Sequence, residues 1–220
     1  MAPQQEVKLQ KTYSTAKIPK QIIVVNDGST DNTRDILDTL QKTWKDPSIE
    51  LRVIHREKNS GKGAAVRAGI DAATQPYFLI QDADLELNPN DYPALVEPIE
   101  KGRSQVVFGN RFPNGFQPST GPLSRLANII VTQLSNLLYP LQLKDQACGY
   151  KLVPTPMMKE LALVSDGFEI CSEMAAKLGR RGVSVTNVPV YYEPRSELQG
   201  KKIRWRDGFI AVYTLLRYRL

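Results

Sequence analysis

The 220-residue chain predicts an α/β protein, a largely parallel sheet flanked by helices with an amphipathic helix at its C-terminal end. Three observations predict it. Apolar or β-branched runs of strand length recur at 21–25, 51–54, 77–81 and 105–108. The first three runs are each followed by a turn rich in Gly, Asn, Asp or Ser, and then by apolar residues at helical spacing, an alternation that builds parallel sheets. Finally, Asp27, Lys62, Asp82, Asp84 and Arg111 fall at or just after the ends of the runs, where open α/β sheets bind ligands.

Taken in order, residues 1–20 are polar and their apolar positions show no period; 4–16 leave room for a helix remnant, and Ile18-Pro19-Lys20 reads as a connection. Gln21-Ile22-Ile23-Val24-Val25 is a buried strand by its β-branched content. Gly28 permits the tight turn after it, and Ile36, Leu37, Leu40 and Trp44 form the apolar stripe of the next helix. Strand 51–54 leads through Gly61-Lys62-Gly63 into a small-residue helix over about 64–73. Glycines there admit a close ligand and a helix N-terminus favours phosphate, although the spacing before Lys62 is not that of a P-loop. Strand 77–81 precedes a helix bearing Leu95, Val96 and Ile99, and strand 105–108 ends at Gly109-Asn110-Arg111. A Pro/Gly/Asn loop (113–122), a long helix (123–138), a polar loop (144–151) before a strand, a helix (167–181) and a strand (183–192) complete the body.

Bulk properties narrow the function. The 41% hydrophobic content supports a core, and no stretch reaches the roughly 18 apolar residues of a spanning helix. No secretory signal pattern opens the chain. Cys148 and Cys171 form neither a metal-ligand spacing nor a disulfide framework, which fits a reducing compartment. His55 has no second histidine to join it as a ligand. Of the net charge of +6, residues 195–220 carry +5. Charge so confined argues for a partner surface at one end and against a nucleic-acid-binding protein.

The stretch Gln81-Asp82-Ala83-Asp84-Leu85-Glu86 is the strongest chemical signal. In an extended backbone, spacing two puts Asp82, Asp84 and Glu86 on one face. Carboxylates gathered so closely repel one another. A hard divalent cation with oxygen ligands, Mn or Mg, removes that cost and can take substrate phosphates as further ligands. The alternative for such an acidic run standing alone is a solvated turn.

Together, Ile23–Asp31, Gly61-Lys62-Gly63-Ala64-Ala65, Asp82–Glu86 and Gly109-Asn110-Arg111 resemble family 2 inverting glycosyltransferases, whose GT-A fold has a Rossmann-like sheet. Asp145 with Gly149-Tyr150-Lys151, Gly167-Phe168-Glu169 with Glu173, Val188-Pro189-Val190 with Tyr192, and Gly200–Gly208 resemble the branch that makes polyprenyl- or dolichyl-phosphate mannose or glucose. The resemblance implies a metal on Asp82, Asp84 and Glu86, bridging the diphosphate of GDP-mannose or UDP-glucose. Asn26 and Asp27 would border the base, with Gly61, Lys62 and Gly63 at the nucleoside and phosphates. Arg111 and Arg125 would bind the lipid phosphate, and guanidinium forks suit such an anion; for Arg125 a solvated helix position is the alternative. Asp145 matches an acidic acceptor-side residue, either positioning and electrostatic or capping its loop. The implied reaction is displacement at the anomeric carbon with inversion.

The organisation expected is an atypical or truncated start (1–20), a GT-A domain (21–200) and a basic amphipathic membrane-interface helix (201–220). In that helix Trp205, Phe209, Val212, Tyr213, Leu216 and Leu220 make one stripe with arginines near both ends, an interfacial pattern. This places the protein peripherally on the cytoplasmic face of a membrane. The start lacks the apolar first strand of the family pattern, so strands 21–25 and 77–81 should each lack a neighbour. Asn26 stands where Asp is common. A non-catalytic protein with an incomplete donor pocket is therefore the rival expectation.

Overall fold

The computed structural model describes residues 20–84, 86–116, 121–194 and 205–220. The helix remnant at 4–16 and the basic residues Arg195, Lys201, Lys202 and Arg204 lie outside the described residues. Strands are β1 (Lys20–Asn26), β2 (Ile49–His55), β3 (Tyr77–Leu79), β4 (Val106–Asn110), β5 (Lys151–Pro154) and β6 (Val185–Pro189). Helices are α1 (Thr33–Thr43), α2 (Lys62–Ala72), α3 (Tyr92–Glu100), α4 (Pro122–Leu138), α5 (Thr155–Glu160), α6 (Ile170–Arg180) and α7 (Trp205–Arg217).

β1 and β2 form a parallel pair, and a second sheet has the order β3-β5-β4-β6. There β4 and β6 are parallel while β5 runs antiparallel to both β3 and β4, so every strand of that sheet but β5 points one way. Alternation along β4 explains its central place: Val106 and Phe108 enter one cluster with Val153, Ile170, Met174 and Leu178, while Val107 enters another with Leu95, Tyr150 and Leu152.

Among the described residues β1 pairs only with β2 and β3 only with β5. α2 spans both pieces: a Cβ on Gly69 would lie 3.6 Å from Phe78 and 3.9 Å from Val25. The β-branched run of β1 is half-buried, although its composition suits a covered strand.

Two strands are shorter than the pattern predicts. β3 stops at Leu79 because Gln81 turns inward, its Oε1 accepting from the hydroxyls of Tyr92 (2.9 Å) and Tyr150 (2.7 Å). β6 ends at Pro189, tolerated on this edge strand because the N–H it lacks would face away from β4, to which Val190 N still donates at Asn110 O (3.0 Å); beyond it Tyr191 N donates to the Asp91 carboxylate (2.8 Å) and Leu87 bridges Tyr192. The short helix α5 was not legible as a periodic stretch.

α7 packs across α4 and α6. Tyr139, just past α4, donates to Leu215 O (2.7 Å), and Tyr218 donates to Glu173 of α6 (2.9 Å). Leu123, Leu126, Ile129, Ile130 and Leu137 of α4 remain exposed, as do Phe209, Ile210, Tyr213 and Leu216 of α7. No helix among the described residues is long and apolar enough to cross a membrane.

Candidate active site

The loops after β1, β2 and β3 meet at one end of the strands. Gly28 takes φ 67°, and a Cβ there would strike Asn59 N at 2.4 Å, so the turn after β1 sits directly on the loop after β2. Asp27 locks the two together: its carboxylate accepts from Ser60 N (3.1 Å) and Gly61 N (2.8 Å) and pairs with Arg56 (3.1 Å). Asn26 is buried, with its amide shared between Ser29 N (3.0 Å) and His55 (3.1 Å). Both residues expected at the base thus shape the loop through internal bonds.

Gly61 and Gly63 serve a close approach of the 164–166 segment. At Gly63 a Cβ would meet Ser165 O at 2.3 Å, and Ala64 N donates to Asp166 O (3.1 Å). Glu173 fixes that segment from behind, accepting from Val164 N (2.9 Å), Ser165 N (2.8 Å) and Lys177 (2.6 Å). Burial alone would raise the Glu173 carboxyl, but these donors prevail and hold it down at about 2.

Lys62 reaches across to Asp82, Nζ to Oδ1 at 2.6 Å. Burial works against its charge, yet Asp82, and more weakly Asp84, hold the ammonium well above its ordinary range. Gly149 brings the loop before β5 against the other face of Asp82; a Cβ there would lie 2.4 Å from Oδ2.

The three carboxylates do not gather as extended spacing would place them. β3 ends before them, residues 83–84 bend, Asp84 accepts from Glu86 N (3.2 Å), and Asp82 is engaged by Lys62. Among the described residues no three His, Cys, Asp or Glu side chains close around one point. The donor set nevertheless fits a hard cation: Asp82 already holds a positive group on one oxygen, and Asp84 offers a second carboxylate beside it.

On the other flank Arg111 grips Asp145 bidentately, Nε to Oδ2 at 2.7 Å and a terminal nitrogen to Oδ1 at 2.9 Å, with Arg111 N also donating to Oδ2 (3.1 Å). The Asp145 side chain is 0% exposed and that of Arg111 14%. Burial pushes the Asp145 carboxyl up, but Arg111, aided by Lys151, holds it below the usual range. Asp145 thus holds both the side chain and the backbone N–H of Arg111. The guanidinium also lies 5.1 Å from the Phe112 ring centre and 5.0 Å from that of Tyr192. Tyr192 joins the two flanks: burial raises its phenol, Arg111 opposes, and Glu86, Asp145 and Asp84 raise it further. Arg125 is half-buried in the first turn of α4, the helix whose Thr132 takes Gln146 N (3.1 Å) next to Asp145.

Sequence reasoning missed Arg56, Gln81, Lys151 and the locking role of Glu173. Glu173 offered a signal in its i,i+4 partner Lys177; Lys151, the last residue of the Gly149-Tyr150-Lys151 motif, is fully buried, over Phe108 (4.9 Å).

The family model described as glycosyl transferase family 2 matches residues 7–161. The glycosyltransferase AglJ of Haloferax volcanii is 30% identical over 198 residues, 89% of this chain and 62% of that protein. The dodecaprenyl-phosphate galacturonate synthase of Rhizobium johnstonii is 28% identical over 149 residues, covering 66% of this chain but 41% of the relative. Among solved structures, glucosyl-3-phosphoglycerate synthase from Mycobacterium tuberculosis, in complex with Mn2+, UDP-glucose and phosphoglyceric acid, superposes with a TM-score of 0.58 at 20% identity, covering 90% of this chain and 68% of that one. The chain thus spans under two thirds of both of these sequence relatives.

Proposed function

Because the chain belongs to glycosyl transferase family 2, we propose that it moves a hexose, mannose or glucose, from GDP-mannose or UDP-glucose to a polyprenyl or dolichyl phosphate, with Mn or Mg and with inversion. One observation carries this reading. Lys62, a donor-side cation paired with Asp82, and an anion-binding guanidinium, Arg111 on Asp145 and 5.0 Å from the Tyr192 ring centre, both stand at or just after strand ends.

The acceptor phosphate oxygen attacks the anomeric carbon as the bond to the donor diphosphate breaks, and the nucleoside diphosphate leaves with the electron pair. Arg111 and Arg125 draw the acceptor anion toward an anionic donor, while Lys62 offsets charge growing on the leaving group. A phosphate is already a nucleophile, so no strong base is needed; Asp145, ionised and fully paired, keeps Arg111 aimed. A divalent ion, which Asp82 and Asp84 would hold with Glu86 nearby, would supply further neutralisation of the diphosphate. Arg111 has N–H groups beyond the two on Asp145 and can take an oxyanion without giving up the pair.

For the acceptor, support comes from the dodecaprenyl-phosphate relative and from the exposed apolar faces of α4 and α7. Arg206, Arg217 and Arg219 are exposed near the ends of α7, as suits a peripheral site on the cytoplasmic face of a membrane. The rival, a protein with an incomplete donor pocket, is favoured by the single pairing of β1 and β3 among the described residues. A donor screen separates them: radiolabelled GDP-mannose and UDP-glucose are incubated with polyprenyl phosphate and Mn or Mg. Label entering the organic phase supports transfer. No transfer, together with no Mn-dependent binding of GDP or UDP by calorimetry, supports the rival.

A further inference from the structure

The one histidine of the chain sits outside the residues assigned to the chemistry, yet it is wired into them. His55 ends β2 directly opposite Asn26, the last residue of β1. Its Nδ1 lies 3.1 Å from Asn26 Nδ2, and its Nε2 lies 2.9 Å from Asp38 Oδ1 on α1. Asn26 Oδ1 in turn accepts from Ser29 N at 3.0 Å.

The polarity of this chain is fixed from its far end. A backbone N–H can only donate, so the Asn26 atom facing Ser29 is the oxygen and the atom facing His55 is the NH2 group. His55 Nδ1 must then accept, which leaves the ring proton on Nε2, pointing at the Asp38 carboxylate. One tautomer satisfies every group in the row, and Asp38 selects it. Asn26 is only 6% exposed, so its amide has little access to water as a substitute partner.

The turn held in this way is the one that Gly28 presses onto Lys58 and Asn59. The same turn carries Asp27, whose carboxylate holds Ser60 N and Gly61 N, immediately before Lys62. His55 therefore stands at the head of a continuous row of contacts that ends at the Lys62–Asp82 pair.

We propose that His55 is a positioning residue for the donor side of the site: its unprotonated Nδ1, set by Asp38, orients the Asn26 amide and through it the 26–29 turn and the 58–62 loop. The assignment of these loops to the donor rests on the function proposed above; the assignment of the relay does not.

The two ring nitrogens can be tested apart. His55→Asn places a carbonyl oxygen near the position of Nδ1 and loses Asp38; His55→Gln reaches Asp38 and loses the acceptor for Asn26. The full chain is compared by hydrogen exchange at the Ser29, Ser60 and Gly61 amides, with His55→Ala as the complete loss and thermal unfolding as the check on folding. Exchange in His55→Gln and His55→Ala should be about tenfold faster, the factor expected for one lost neutral hydrogen bond, while His55→Asn stays close to the parent. If His55 merely tethers α1 to β2, the pattern reverses, with Gln protecting and Asn failing, and the proposal is overturned; equal exchange in all four proteins overturns it too. Should a variant not fold, Asn26→Leu, which removes the amide and leaves His55 and Asp38 together, must release the same three amides. A parallel titration of UDP and GDP with Mn2+ separates the two readings. The expected exchange pattern in a chain that binds neither nucleotide would leave the relay standing and remove the donor assignment.

Discussion

Replacing Arg111 by Leu leaves Asp145 buried without its partner, and the cost follows from the geometry. The pair is bidentate, the carboxylate is 0% exposed, and the backbone N–H of Arg111 shares the same oxygen. Breaking one side of such a pair costs about 3–5 kcal/mol, a large share of a total stability of roughly 5–15 kcal/mol. With a urea m-value of about 2 kcal/mol per molar, the unfolding midpoint should fall by ~2 M. Arg111→Leu with Asp145→Asn keeps an oxygen for the backbone N–H and removes the stranded charge, so it should recover more than half of that loss. The sign of the pH dependence also changes. In the parent, Asp145 is held below the ordinary carboxylate range, so its contribution is present above that range and fades as pH falls through the lowered value. In Arg111→Leu, burial raises the carboxyl against only Lys151 and the remaining backbone N–H, and the variant should be more stable at pH 5 than at pH 8. Urea unfolding followed by tryptophan fluorescence or circular dichroism measures all of this. Equal midpoints for the single and double variants, or a single variant less stable at pH 5, would show that the pair is not what holds Arg111 and its loop.

Three further outcomes are expected. Asp84→Ala should abolish Mn-dependent affinity for nucleoside diphosphate with the thermal midpoint unchanged, as read by calorimetry with UDP and GDP. Arg125→Ala should raise the KM for polyprenyl phosphate by about tenfold or more, as for a charge-assisted contact worth roughly 1.5–3 kcal/mol, while donor affinity holds; lost donor affinity with an unchanged acceptor KM would refute the role. Phe209→Ser with Tyr213→Ser should weaken sedimentation with anionic vesicles, and salt should weaken that of the parent; variants that still sediment fully would remove α7 from any membrane contact.

How much of this could be read without coordinates depends on whether a feature is local. The β-branched run 21–25 and the turn at Gly28 were legible because periodicity and turn chemistry act over a few residues. The arrangement of Asp82, Asp84 and Glu86 was not legible, because spacing two gives one face only while the strand continues, and it ends at Leu79, just before Gln81, which is caught by Tyr92 and Tyr150. Arg111 and Asp145 were each placed at the acceptor side, but their mutual grip spans 34 residues and leaves no local trace. Glu173 showed only its local partner Lys177; its bond to Tyr218 beyond α7 is as distant in sequence and left no trace.

The most direct test offers the purified chain a radiolabelled donor with polyprenyl phosphate and 3-phosphoglycerate in one reaction, with Mn2+ present. Label in the organic phase, lost when chelator is added and reduced in Arg125→Ala, is the predicted result. Label confined to the aqueous phase as glycosyl-3-phosphoglycerate, or organic-phase label indifferent to chelator, would contradict it.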